Sequence, residues 1–241
     1  MNKYYYANGL TDIGKLRKEN QDAFFIDQEE GFYLVVDGMG GMQNGALAAH
    51  YVKDNLFMLL KKGLAKLQES EDQDIVIAMK EVVSVLSKNL REKVGKDTGA
   101  AFVSVLLKGK DAYITHLGDC RAYLFREDVM QMLTKDHNLA ALLVDLKKIT
   151  PEEARIHPMR NRLTAYLGME GKAIPEVQQI SLKPGDRLLL CSDGLTGMLP
   201  ETEISALLRE KENPKKTLKK LITRANEAGG DDNITGVLID F

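Results

Sequence analysis

A chain of 241 residues with 33 basic and 35 acidic side chains has a net charge of −2. That balance argues against nucleic acid or an anionic membrane as partner, and no polybasic stretch overrides it. A chain this long buries roughly 70% of its unfolded surface, so it can build a large core, and no apolar run approaches the ~20 residues that span a bilayer. Met1 to Tyr6 holds no signal-peptide core. Cys120 and Cys191 follow apolar runs and form no CxxC pair. They read as buried free thiols of a reducing compartment, so a cytoplasmic protein is expected.

Tyr4 to Thr11 is aromatic-rich and strand-like, and Thr11 to Gly14 reads as a turn. The polar hexamer Arg17-Lys18-Glu19-Asn20-Gln21-Asp22 leads into a strand over Ala23 to Ile26. A hairpin loop over Asp27 to Gly31 then returns the chain into Phe32-Tyr33-Leu34-Val35-Val36-Asp37-Gly38-Met39-Gly40-Gly41. This continuous apolar run reads as a buried strand, ending in an acid and glycines. The plainer alternative is a strand closed by an Asp-Gly turn. Antiparallel pairing of the two strands puts Asp22 and Asp37 at one sheet edge.

Two helices follow. Asn44 to Lys62 carries Ala48, Tyr51, Val52, Leu56, Leu59 and Leu60 on one stripe, and Ile75 to Val94 repeats the pattern with Val76, Met79, Val82, Val83, Leu86 and Leu90. The charged stretch Gln68 to Asp74 between them reads as a loop. From Gly99 the texture becomes alternating: Ala101 to Leu107, Ala112 to Leu117, Arg121 to Phe125 and Val129 to Leu133 predict an antiparallel meander, which excludes a doubly wound parallel sheet. Asn138 to Arg160 interrupts the strands as an insert, with a helical patch at Leu139 to Leu146 and a helix start at Thr150-Pro151-Glu152-Glu153. Strands over Val177 to Leu182 and from Leu188, helices over Pro200 to Arg209 and Pro214 to Asn226, and a last strand from Ile234 complete the chain. The order predicts one α+β domain over residues 1–241, with helices layered on antiparallel sheets.

Acids recur at strand edges: Asp22, Asp37, Asp119 after Leu117-Gly118, Asp193 after Leu188 to Ser192, and Asp232 before Ile234. As bare anions they would repel one another. Hard divalent cations resolve this, and all-oxygen donors select Mg²⁺ or Mn²⁺; no His/Cys spacing argues for zinc. Two such ions roughly 3.5–4 Å apart lower the pKa of a shared water and aim it at phosphorus. Arg17 is the candidate fork for phosphoryl oxygens, with a surface salt bridge as its alternative.

Six segments in order resemble the motifs of PP2C-type (PPM) protein phosphatases, of the compact bacterial type. They are Arg17-x-x-Asn20-Gln21-Asp22, Val36 to Gly41, Leu117-Gly118-Asp119-Cys120-Arg121, Leu133-Thr134-Lys135-Asp136-His137, Cys191-Ser192-Asp193-Gly194-Leu195 and Gly230-Asp231-Asp232-Asn233-Ile234-Thr235. The resemblance implies two antiparallel sheets packed as a sandwich, flanked by helix pairs, with residues 138–160 as the flap. It implies that Asp37 bridges two ions, that the Gly38 carbonyl holds the second, and that Asp193 and Asp232 complete the first. Asp22 would hold solvent beside them, Asp119 with Asp193 would form a third, weaker site, and Arg17 would bind substrate phosphate. The implied activity is Mn²⁺- or Mg²⁺-dependent hydrolysis of phosphoserine and phosphothreonine in proteins by a monomer, reversing a Ser/Thr protein kinase. The alternative is a catalytically inactive binding module on the same fold. A phosphatase working through an aspartyl nucleophile would want a second acid two residues after Asp37, where Met39 stands.

The chain departs from the family pattern at several points. Gln21 stands where many members carry glutamate. Met39 and Met42 stand at positions that are often histidine, so neither supplies an acid for the leaving group, and none of His50, His116, His137 or His157 is assigned that role. Cys120 replaces a common serine, and Gly99-Ala100-Ala101 a Gly-Thr-Thr.

Overall fold

In the computed structural model, which describes residues 5–40, 44–65 and 72–241, the chain begins with strands β1 (Tyr6–Asp12), β2 (Asp22–Asp27) and β3 (Phe32–Met39), then helices α1 (Asn44–Leu64) and α2 (Asp72–Lys93). Strands β4 (Gly99–Lys108), β5 (Asp111–Leu117), β6 (Arg121–Arg126) and β7 (Val129–Met132) follow. Short helices α3 (Leu139–Asp145) and α4 (Pro151–Arg155) precede β8 (Glu176–Ser181) and β9 (Arg187–Cys191). The chain closes with α5 (Asp193–Met198), α6 (Glu201–Arg209), α7 (Pro214–Glu227) and β10 (Ile234–Asp240). One sheet runs β1-β10-β9-β6-β7 and the other β2-β3-β4-β5-β8. Every pairing is antiparallel.

The apolar runs are continuous because the central strands are buried on both faces. On β3, Phe32, Leu34 and Val36 point into a core shared with α1 and α2, while Tyr33 and Val35 point between the sheets. On β9, Leu188 and Leu190 join that same inter-sheet core, and Leu189 and Cys191 face α5, α6 and α7. Three apolar layers thus alternate with two sheets, giving helices–sheet–sheet–helices. Cys120 lies in the inter-sheet core and Cys191 in the outer one. Both thiols are free and buried, as expected.

Four expectations need correction and one a restriction. The strands β4 to β7 are not one meander: β4 and β5 belong to the second sheet and β6 and β7 to the first. The chain changes sheets between Leu117 and Arg121, where Gly118 adopts φ +107° and a side chain would lie 2.3 Å from the Ala101 Cβ. Asp193 does not simply end a strand but opens α5, a six-residue helix with two glycines, too short to show a 3.6-residue period. Asp72 and Asp74, read as loop, form the first turn of α2, where acids suit the helix N-terminus. Pro200 is the cap of α6 rather than its first residue, whereas Pro214 does open α7. Met1 to Tyr4, Gly41 and Met42, and Gln68 to Glu71 of the charged stretch lie outside the described residues.

Candidate metal centre and phosphate clamp

All five predicted acids gather at one end of the sandwich. Asp22 and Asp37 are direct cross-strand partners in the β2–β3 register, so their side chains share a face. Asp119 lies in the crossover between β5 and β6, Asp193 in the first turn of α5, and Asp232 just before β10. Gly38 is fixed by close approach: a Cβ there would lie 2.0 Å from the Gly45 carbonyl oxygen. That leaves the end of β3 pressed against the first turn of α1, an approach that only a residue without a side chain allows.

The electrostatics show what this crowding costs. Asp22 is 6% exposed and Asp119 7% exposed. Burial, with repulsion from Asp193 and Asp232, pushes Asp22 up to about 8, even though hydrogen bonds from Ser192 and Thr235 pull the other way. Burial and then Asp232 push Asp193 up to about 6, against a hydrogen bond with Asp37. Asp37 and Asp119 are raised well above the usual carboxylate range, chiefly by burial and then by their acidic neighbours. Asp193 Oδ1 is buried with no hydrogen-bond partner. An orphaned buried oxygen among mutually repelling carboxylates is a donor set that fits hard divalent cations. Among the described residues, no three of these carboxylates bring their oxygens within 4.8 Å of one another.

Arg17 stands on the loop between β1 and β2. Its Nη2 donates to Asp232 Oδ2 at 2.6 Å, and its side chain is 48% exposed. The contact is a salt bridge, and it places the guanidinium at the rim of the acidic ring. Asp22 is held by Ser192, whose hydroxyl donates to Asp22 Oδ2 at 2.7 Å and accepts from the Thr235 N–H at 3.0 Å. Ser192 occupies the cap position of α5 but spends its hydroxyl on Asp22 instead of on the helix.

A second group went unnoticed in the sequence. His116, His137 and Glu176 bring ligand atoms within 4.8 Å of one another, and the imidazoles stack at 4.8 Å between centroids. Their hydrogen bonds argue against a further metal site. The Gly118 N–H donates to His137 Nδ1 at 3.1 Å, so the ring's proton sits on Nε2, which faces Glu176 Oε1 at 3.2 Å. That leaves His137 no lone pair for a cation. His116 Nε2 pairs with the Lys135 carbonyl at 2.9 Å, and burial lowers its pKa. The pair instead braces the Gly118–Asp119 corner. It also marks the base of the 138–163 segment, closed by Thr164 N–H to the His137 carbonyl and Leu139 N–H to the Arg162 carbonyl. Two further motif residues form another brace: Arg121 grips Asp136 through Nε and Nη2 at 2.8 and 2.7 Å.

Comparison with known proteins identifies the family. The family model described as protein phosphatase 2C matches residues 17–238. The serine/threonine phosphatase stp of Listeria monocytogenes serotype 4b is 34% identical, over 98% of this chain and 95% of that protein. The solved serine/threonine phosphatase of S. agalactiae superposes with a TM-score of 0.86 at 32% identity, over 98% of this chain and 99% of the other. The catalytic domain of the serine threonine protein phosphatase PstP, solved in complex with two manganese ions, superposes with a TM-score of 0.77 at 28% identity, over 98% and 97%. A family model that spans most of the chain, a relative above 30% identity along nearly its whole length and the same layered fold lead to one assignment: the chain belongs to the protein phosphatase 2C family.

Proposed function

We propose that this chain hydrolyses phosphoserine and phosphothreonine in proteins and depends on Mn²⁺ or Mg²⁺ to do so. The observation that carries the reading is the meeting of five buried or half-buried acids from both sheets beside a half-exposed arginine. Asp37 and the Gly38 carbonyl would hold one cation, Asp37 with Asp193 and Asp232 another, and Asp119 with Asp193 a third, weaker one. When bound, the cations neutralise these carboxylates and lower the pKa of a shared water. Arg17 binds the phosphoryl group: one nitrogen engages Asp232, and the rest of the guanidinium fork is left for phosphoryl oxygens. Asp22, fixed by Ser192, would hold and orient solvent beside the ions. Leu146 and Ile156 on the 138–163 segment are 58% and 80% exposed, a surface that a protein substrate would cover. Buried thiols support a cytoplasmic setting, and among the described residues no helix is long and apolar enough to cross a membrane. A Ser/Thr kinase acting on the same proteins is the natural counterpart.

The test is hydrolysis of p-nitrophenyl phosphate and of a phosphothreonine peptide, with Mn²⁺ and after chelation, by the native chain and by Asp193→Ala. Metal-dependent turnover that falls at least ~100-fold in the variant is expected. Turnover that ignores both chelation and the substitution, or no turnover with any divalent ion, would sink the proposal.

A further inference from the structure

Arg17 sits at the midpoint of a loop without regular structure, between Ile13 and Gln21. A fork on such a loop is useful only if the loop cannot drift. One side chain from elsewhere in the chain grips both legs of that loop. The Nδ2 of Asn233 donates to the Ile13 carbonyl at 2.9 Å and to the Glu19 carbonyl at 3.0 Å, and its Oδ1 accepts from the Gln21 N–H at 2.8 Å. Both amide hydrogens and the oxygen are used, on a residue only 4% exposed. The backbone N–H of Asn233 also donates to Asp232 Oδ1 at 2.8 Å, on the carboxylate whose other oxygen pairs with Arg17. One residue thus fixes the base of the loop and the carboxylate that its tip meets.

We infer that Asn233 is a positioning residue for phosphate recognition, acting through Arg17. The chemistry is specific to the carboxamide. Aspartate has the same shape and can still accept from Gln21, but it would oppose two carbonyl oxygens with an anion. Serine or alanine cannot reach both legs. This inference rests on Arg17 being the phosphate-binding group proposed above.

The experiment is a double-mutant cycle on the Mn²⁺-loaded chain. The affinity for inorganic phosphate, and KM and kcat with p-nitrophenyl phosphate, are measured for the native chain, Arg17→Ala, Asn233→Asp and the combination, with Mn²⁺ stoichiometry from calorimetry. Asn233→Asp is expected to weaken phosphate about tenfold and raise KM with kcat nearly unchanged, whereas in the Arg17→Ala background it adds less than about twofold. Equal loss in both backgrounds overturns the role of Asn233 and leaves the clamp standing. Unchanged phosphate affinity in Arg17→Ala removes the clamp, and the inference with it. A readout independent of metal and of variant folding is amide exchange in the chelated native chain. The Gln21 amide should exchange far more slowly than that of exposed Lys18, and equal rates would overturn the inference; Asn233→Ser should abolish the difference.

Discussion

Ser192 shows how much a single hydroxyl can decide. It donates to Asp22 and accepts from the Thr235 N–H within the buried end of the sandwich. Ser192→Ala removes a charge-directed hydrogen bond and leaves a buried N–H unpaired. The expected cost is about 2 kcal/mol of stability, seen as a lower Tm, together with a further rise in the Asp22 pKa. An unchanged Tm and an unchanged titration of Asp22 would show that the contact is dispensable. At this scale the convergence of the acids was readable in the sequence, because charged residues at the ends of apolar runs announce themselves. It was silent on Ser192 and Asn233. Both are small polar residues beside a louder aspartate, and nothing in a periodicity says which distant loop a side chain will grip.

Among the elements, the crossover from β5 to β6 governs where Asp119 lies. Gly118 at φ +107°, with no room for a Cβ beside Ala101, is the corner that makes it. Gly118→Ala should cost about 3 kcal/mol or more, through backbone strain and overlap together. Binding of the weakest of the proposed ions should suffer with it, measured by Mn²⁺ calorimetry on whatever fraction remains folded. A variant with native Tm would mean the corner relaxes easily. Strands buried on both faces, such as β3 and β9, were legible as unbroken apolar runs, and α1 and α2 through their stripes. The change of sheet was not legible, since alternation in β4 to β7 looks the same whether consecutive hairpins share a sheet or divide between two. Helix α5 was missed for want of length, and it carries Asp193.

For the whole molecule, the raised carboxylates tie stability to pH. Asp22 at about 8 and Asp193 at about 6 both stand above the unfolded value of 3.8. Between these limits the folded chain holds protons that the unfolded chain has released, so the stabilisation is greatest below the unfolded value. It is lost as pH rises through 6 and then 8. Chelated protein should therefore show a Tm that declines by several degrees from about pH 5 to pH 9. With excess Mn²⁺ the trend should invert, because the ion competes with those protons for the same oxygens. A Tm in chelator that climbs across this range would contradict the buried, mutually repelling cluster.

The acids are also divided between the sheets: Asp22 and Asp37 ride on one, Asp193 and Asp232 on the other, and Asp119 on the strap between them. Like charge meets like charge across that seam at one end of the sandwich, whereas the opposite end of β9 and β10 is tied by the Arg187–Asp240 ion pair. A divalent ion seated there, as proposed above, would join the two layers as a clasp. Loading it and tightening the fold would then be the same event.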